Sequence, residues 1–237
     1  MRLGNYIILF IISSIISLGC SSSAESWFEE AKARMKKGDL ITAREAIEKA
    51  LEKNPGYSEA YNLRGVINFQ EKKIDEAILD YQKSVDLKPS NYLGQLNLAA
   101  AFMEKNAWKD AVNPIEKAIK IAPDSSAGYL QRGIIRAALH QIDLSKEDFK
   151  TSIKLNPKEI NAFYNRGNLY FQEDKLDSAI LDFERTISLN SEYGKSYYAL
   201  GLSYYKKNNF EKSCLAFNQA SKLNYPGAKD ALKNLCK

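Results

Sequence analysis

The chain has 237 residues, 45% of them hydrophobic, and a formal charge of +5 at pH 7. That much apolar material can bury a core, which excludes a disordered chain, and Lys and Arg are spread along the whole length, which excludes the dense basic patch that tracks nucleic-acid phosphates. No Gly-rich phosphate loop, His/Cys metal spacing or G-x-S-x-G turn occurs, so the expectation is a non-enzyme without catalytic residues, metal or cofactor.

Residues 1–19 make the first element. Arg2 supplies a short positive start and Tyr6–Leu18 an apolar run, shorter than the ~20 residues that cross a bilayer as a helix. This is the layout of a secretory signal peptide. The run ends Ser17-Leu18-Gly19-Cys20 and is followed by three serines. That ending resembles the lipobox of bacterial lipoproteins, although Ser17 stands where the pattern has an aliphatic residue. The resemblance implies that Cys20 is lipidated and begins the mature protein, with residues 20–23 as a short tether. Ser21 in place of Asp after the cysteine implies sorting to the outer membrane. The expected location is therefore a bacterial cell envelope, with the membrane reached through an N-terminal lipid. An ordinary signal peptide cut elsewhere, with Cys20 incidental, is the alternative.

Pro55, Pro89, Pro123 and Pro157 then recur every 34 residues, each closing a helix-compatible run. A period of this length marks a helix–turn–helix unit that cannot bury its apolar face alone and must stack on its neighbours. Six blocks follow, 24–57, 58–91, 92–125, 126–159, 160–193 and 194–227. Position 4 reads Trp27, Tyr61, Gln95, Tyr129, Phe163, Tyr197, and position 8 reads Ala31, Gly65, Ala99, Gly133, Gly167, Gly201. Position 20 reads Ala43, Ala77, Ala111, Ser145, Ala179, Ser213, and position 24 reads Ile47, Tyr81, Ile115, Phe149, Phe183, Phe217. Small residues at 8 and 20 are expected to face each other where the two helices cross, with bulky residues at 4 and 24 beside them. These columns resemble the tetratricopeptide repeat. The resemblance implies an all-α, right-handed α-solenoid of six helix–turn–helix repeats. Residues 228–237 add a capping helix, because Ala228, Ala231, Leu232 and Leu235 fall on one helical face. The single histidine, His140, falls in an inter-helix turn.

Position 7 is arginine in three repeats (Arg64, Arg132, Arg166), and in those repeats position 23 is aspartate (Asp80, Asp148, Asp182). Two half-buried positions on facing helices that change together are expected to be structural ion pairs. An anion-binding arginine row is the other reading. The third repeat departs furthest from the pattern, with Gln95 for the aromatic and Pro114 inside its second helix, where a bend is expected. Cys214 and Cys236 both lie eleven residues from Tyr225, at the turn between the last repeat helix and the cap. Two helices leaving one turn bring them level, so a disulfide is expected in an oxidising compartment; two small packed thiols are the alternative.

The resemblance implies that a partner lies on the concave face, which in the family is lined by positions 2, 5, 9, 12 and 13 of each first helix. The Lys/Asn/Arg set with which chaperone-binding members hold a peptide carboxylate is missing: Phe28 and Val66 stand at two of its places. The candidate site is the last two repeats, with Tyr164, Asn168, Phe171, Tyr198 and Tyr205 at its centre. Tyrosine offers contact area at low entropic cost together with a hydroxyl, and the amide of Asn168 can both donate to and accept from a backbone. The same rings could instead pack one repeat on the next. The expected partner is a protein or peptide, with an envelope assembly machine or a homo-oligomer as the second possibility; nucleic acid is not expected.

Overall fold

A computed structural model describes residues 23–236; the signal segment and Cys20 lie outside them. Among the described residues the chain forms thirteen α-helices and no strand, which makes the fold all-α. It divides into two compact units at Asn54/Pro55. The first holds one helical pair, α1 (Ala24–Lys36) and α2 (Leu40–Lys53). The second holds five pairs: α3 (Ser58–Gln70) with α4 (Ile74–Leu87), α5 (Tyr92–Glu104) with α6 (Trp108–Ile121), α7 (Ser126–Ala138) with α8 (Ile142–Leu155), α9 (Ile160–Gln172) with α10 (Leu176–Leu189), and α11 (Gly194–Lys206) with α12 (Phe210–Lys222). Helix α13 (Ala228–Leu235) follows and packs on α12. The odd-numbered helices α1–α11 are called A helices below, and their even-numbered partners B helices.

Each A helix stops in the same way. Its last turn is followed by one residue in the left-handed region: Gly38, Lys72, Asn106, His140, Asp174 or Asn208, with φ between 58° and 79°. Two N–H groups then turn back onto the helix. In the fourth repeat His140 N–H donates to the Ala137 carbonyl at 3.0 Å and Gln141 N–H to the Arg136 carbonyl at 2.8 Å. This pair of bonds satisfies carbonyls that a helix end would otherwise strand, and it reverses the chain in a few residues. The lone histidine is thus a turn residue, at a position that His, Asn and Asp tolerate better than most. Where the next helix starts, Asp39 and Asn209 accept the N–H of Thr42 and Lys212, both at 3.2 Å.

Position 8 decides how closely the two helices of a pair approach. A Cβ added to Gly65, Gly133, Gly167 or Gly201 would lie 2.6–2.8 Å from the ring of Tyr81, Phe149, Phe183 or Phe217. Each glycine therefore lies beneath the position-24 ring of its own repeat. In the two repeats with alanine there, Ala31 and Ala99, position 24 is isoleucine, Ile47 and Ile115. Every one of these position-24 side chains is buried. Position 20 also meets position 8: the Ser145 hydroxyl donates to the Gly133 carbonyl at 2.6 Å and that of Ser213 to the Gly201 carbonyl at 2.9 Å.

Within the second unit, successive A helices lie against one another more closely than successive B helices, so the A helices form its inner side. Lysines tie neighbouring repeats at the edge, Lys105 to Asp75 at 2.5 Å, Lys146 to Glu173 at 2.6 Å, and Lys207 to Asp177. Gln95, the apparent irregularity of the third repeat, is buried, and its amide donates to the Pro89 carbonyl at 3.4 Å. Pro114 is also buried, and α6 runs unbroken through it. At the far end Cys214 and Cys236 are joined, with S–S 2.08 Å and Cα–Cα 5.6 Å, stitching α12 to the residue that follows α13.

Candidate functional site

The inner side of the last two repeats is built on α9 and α11, which touch. Tyr164 and Tyr198 occupy the same position of their repeats and are both half-buried. The Tyr164 ring lies 5.9 Å from that of Phe183 and 5.6 Å from that of Tyr193, and Lys195 Nζ sits 4.5 Å above it. Tyr198 lies 5.5 Å from Phe217 and 5.2 Å from Tyr225. One turn or more further on, Phe171 carries Lys206 Nζ at 5.1 Å, and Tyr205, 37% exposed, meets Phe210 edge-on at 5.4 Å. Asn168 lies on α9 between Tyr164 and Phe171, half-buried. Each of these rings both packs on its own repeat and keeps part of its surface open. Truncating Tyr164 or Tyr198 would consequently remove core contacts together with groove surface.

The arginine and aspartate columns meet across each pair of helices. Arg64 reaches Asp80 through Nε at 2.9 Å and Nη2 at 2.6 Å, and Asn68 donates to the same carboxylate at 2.9 Å. Arg132 holds Asp148 at 3.0 and 2.7 Å, and Arg136 adds a third contact at 2.7 Å. Arg166 holds Asp182 with both distances at 2.8 Å. The guanidinium carbons also lie 5.3–5.8 Å from the position-4 rings of Tyr61, Tyr129 and Phe163. The aspartate hydrogen bonds hold Arg132 and Arg166 further above the ordinary arginine range, against burial, which works the other way. Nε and Nη2 of each arginine are taken up by a carboxylate and the aspartates are buried, the geometry expected of internal ion pairs.

The left-handed turn residue of each repeat and the match of position 8 to position 24 had no place in the sequence reading. The second was available by comparing the two columns, since glycine goes with an aromatic ring and alanine with isoleucine in every repeat. Among the described residues no group of His, Cys, Asp and Glu is arranged to hold a metal.

Tetratricopeptide-repeat family patterns match residues 28–92, 160–193 and 194–225, together more than half of the chain. Among curated proteins, the PEX5-related protein of Mus musculus is 29% identical over 96 residues, which is 40% of this chain and 17% of that protein. The chain spans only 15–17% of the length of the first curated relatives it matches. Among solved structures, PilW, a type IV pilus biogenesis factor, superposes with a TM-score of 0.81 at 18% identity, over 89% of this chain and 98% of its own. YrrB, described as a TPR protein with an unusual peptide-binding site, gives a TM-score of 0.63 at 22% identity, over 79% of this chain and 98% of its own.

Proposed function

This is a chain of tetratricopeptide repeats, and from that premise we propose that it is a non-enzymatic interaction scaffold. It holds a protein or peptide partner along the inner face of its A helices. The observation that carries this reading is the lining of α9 and α11, where Tyr164, Phe171, Tyr198 and Tyr205 are partly open around Asn168. Aromatic rings that are already held in place lose little entropy when they bind, and a nearby amide can pair with a peptide backbone. Extended or helical segments with apolar anchors suit such a surface. A photo-activatable residue at position 168 should give a covalent adduct in intact cells, whereas one at exposed Lys150 on α8 should not. Equal yields at both places, or none at 168, would remove the inner face as the site.

The lipobox-like ending at Cys20 supports a bacterial envelope lipoprotein anchored at the outer membrane. In that case the tether, residues 20–23, reaches at most ~14 Å, and the first helical pair sits close to the headgroups. Labelled fatty acid should enter the wild-type chain and not Cys20→Ser, and the variant should leave the membrane fraction. A variant that stays bound, beside a wild type that takes up no label, contradicts the anchor.

A second reading is a structural subunit of an envelope assembly machine, for pili or outer-membrane proteins, or a homo-oligomer. It is favoured by the fold shared with nearly the whole length of PilW. A mass that rises with concentration, with no peptide capture, would select it over the first.

A further inference from the structure

On α11, Tyr197, Leu200 and Tyr204 form a stripe about 100° round the helix from Tyr198 and Tyr205. Between that stripe and α12 opens a cleft of about 460 Å³. Leu215 and Ala216 make its other wall, and Lys212 and Lys222 stand at its rim. Leu200 and Ala216 occupy positions 7 and 23 of the sixth repeat, the two positions that the Arg64–Asp80, Arg132–Asp148 and Arg166–Asp182 pairs fill in other repeats. The third repeat, with Leu98 and Pro114 there, also carries a cleft, of about 310 Å³, but one lined by Asp110 as well as Lys109 and Lys117.

The cleft of the sixth repeat has a distinct character. Its floor is apolar, and Leu215 is 60% exposed to solvent; Leu181, at the same position one repeat earlier, is 68% exposed. Lys212 lies 5.3 Å over the Tyr204 ring. Among the described residues no carboxylate lines the cleft. The carboxylate nearest in the bonding scheme, Glu184, already accepts from the Tyr204 hydroxyl at 2.8 Å. An open apolar slot with two cations at its edge, and with the neighbouring Glu184 carboxylate tied to the Tyr204 hydroxyl, complements a segment of the opposite pattern.

We propose that this cleft is a second docking site, for an acidic protein segment that inserts one bulky apolar side chain between Tyr197, Leu200 and Leu215 and sets carboxylates against Lys212 and Lys222. The site is separate from the inner face and needs no partner there.

The test uses the full chain and two dye-labelled synthetic peptides, an amphipathic one of leucine and glutamate and its counterpart with lysine for every glutamate, followed by fluorescence anisotropy. Leu200→Arg with Ala216→Asp rebuilds the pair of the other repeats and closes the cleft. Lys212→Glu with Lys222→Glu reverses the rim and leaves the core alone. The acidic peptide should bind the wild type and bind each double variant roughly tenfold more weakly or worse, and the basic peptide should not bind. Failure of the acidic peptide to bind, equal binding of both peptides, or undiminished binding to the variants overturns the proposal. So does a wild-type dimer that disappears when the cleft is closed, because a second copy is then the occupant. If the closed variant fails to melt cooperatively, the rim variant decides alone.

Discussion

At Gly133 the distance from an added methyl to the Phe149 ring would be 2.6 Å, so Gly133→Ala forces the ring or the helix to move. Overpacking of this kind costs about 1–3 kcal/mol. Phe149→Ile should relieve it, because alanine with isoleucine is the combination already present in Ala31/Ile47 and Ala99/Ile115. Urea melts of the two single variants and the double should show the double destabilised by less than the sum. A similar exchange is available for Arg166 and Asp182, whose side chains are 18% and 4% exposed. Asp182→Ala alone strands a half-buried guanidinium and should cost on the order of 3 kcal/mol. Adding Arg166→Leu writes the Leu200/Ala216 arrangement of the sixth repeat into the fifth and should recover part of that loss; strictly additive changes would mean the pair is uncoupled. Tyrosines give a third measurable quantity. Burial pushes the phenol of Tyr81 upward, and burial together with the Glu184 bond pushes Tyr204 up to about 12. Above about pH 10 an unfolded chain releases protons that these folded tyrosines keep. The unfolded state then binds fewer protons, so stability falls as pH rises from about 10 through about 12. Phenolate absorbance should accordingly show a late class among the fourteen tyrosines, released with loss of helical circular dichroism. A single early titration would contradict it.

The turns between paired helices are where element-scale strain is found. Lys72 stands at φ 63°, where most L residues are disfavoured, and its ion pair with Glu104 is long, 3.4 Å, and exposed. Lys72→Gly should remove more strain than it loses in contacts and unfolded-state entropy, a net gain of roughly 0.5–1 kcal/mol measured by thermal melting. Gly38→Lys should do the reverse. This turn residue was illegible in the sequence for a physical reason: the left-handed position accepts Gly, Lys, Asn, His, Asp and Asn in the six repeats, so no single residue type marks the column. The helices themselves were legible because burial admits few choices at positions 8, 20 and 24, and proline punctuates four of the junctions. Gln95 misled for the opposite reason. Its polarity reads as drift, yet it is buried with its amide on the Pro89 carbonyl, a partner that no pattern in the sequence announces. The outer cleft of the sixth repeat was invisible in the same sense, since it arises from side-chain volume that Leu200 and Ala216 lack.

At the scale of the whole molecule, the period of 34 was enough to expect an all-α stack, because a repeated pair of amphipathic helices has only its neighbours to cover it. Which stripe of that stack meets a partner was less legible: Tyr164 and Tyr198 serve core and groove together, and the sequence does not apportion one ring between two roles. One feature of the far end bears on how the chain carries tension. Cys214 and Cys236 are 22 residues apart along the backbone, and a handle attached beyond Cys236 would transmit its pull through sulfur directly into α12. The intervening stretch, which holds Leu215, Ala216, Lys222 and all of α13, would then be a slack loop inside a taut molecule. In single-molecule stretching the oxidised chain should end shorter than the reduced one by roughly 75 Å, the extended length of that loop, and equal lengths would mean that the bridge is absent. Such a bypass leaves one wall of the outer cleft bearing no mechanical load while the repeats before it are drawn out.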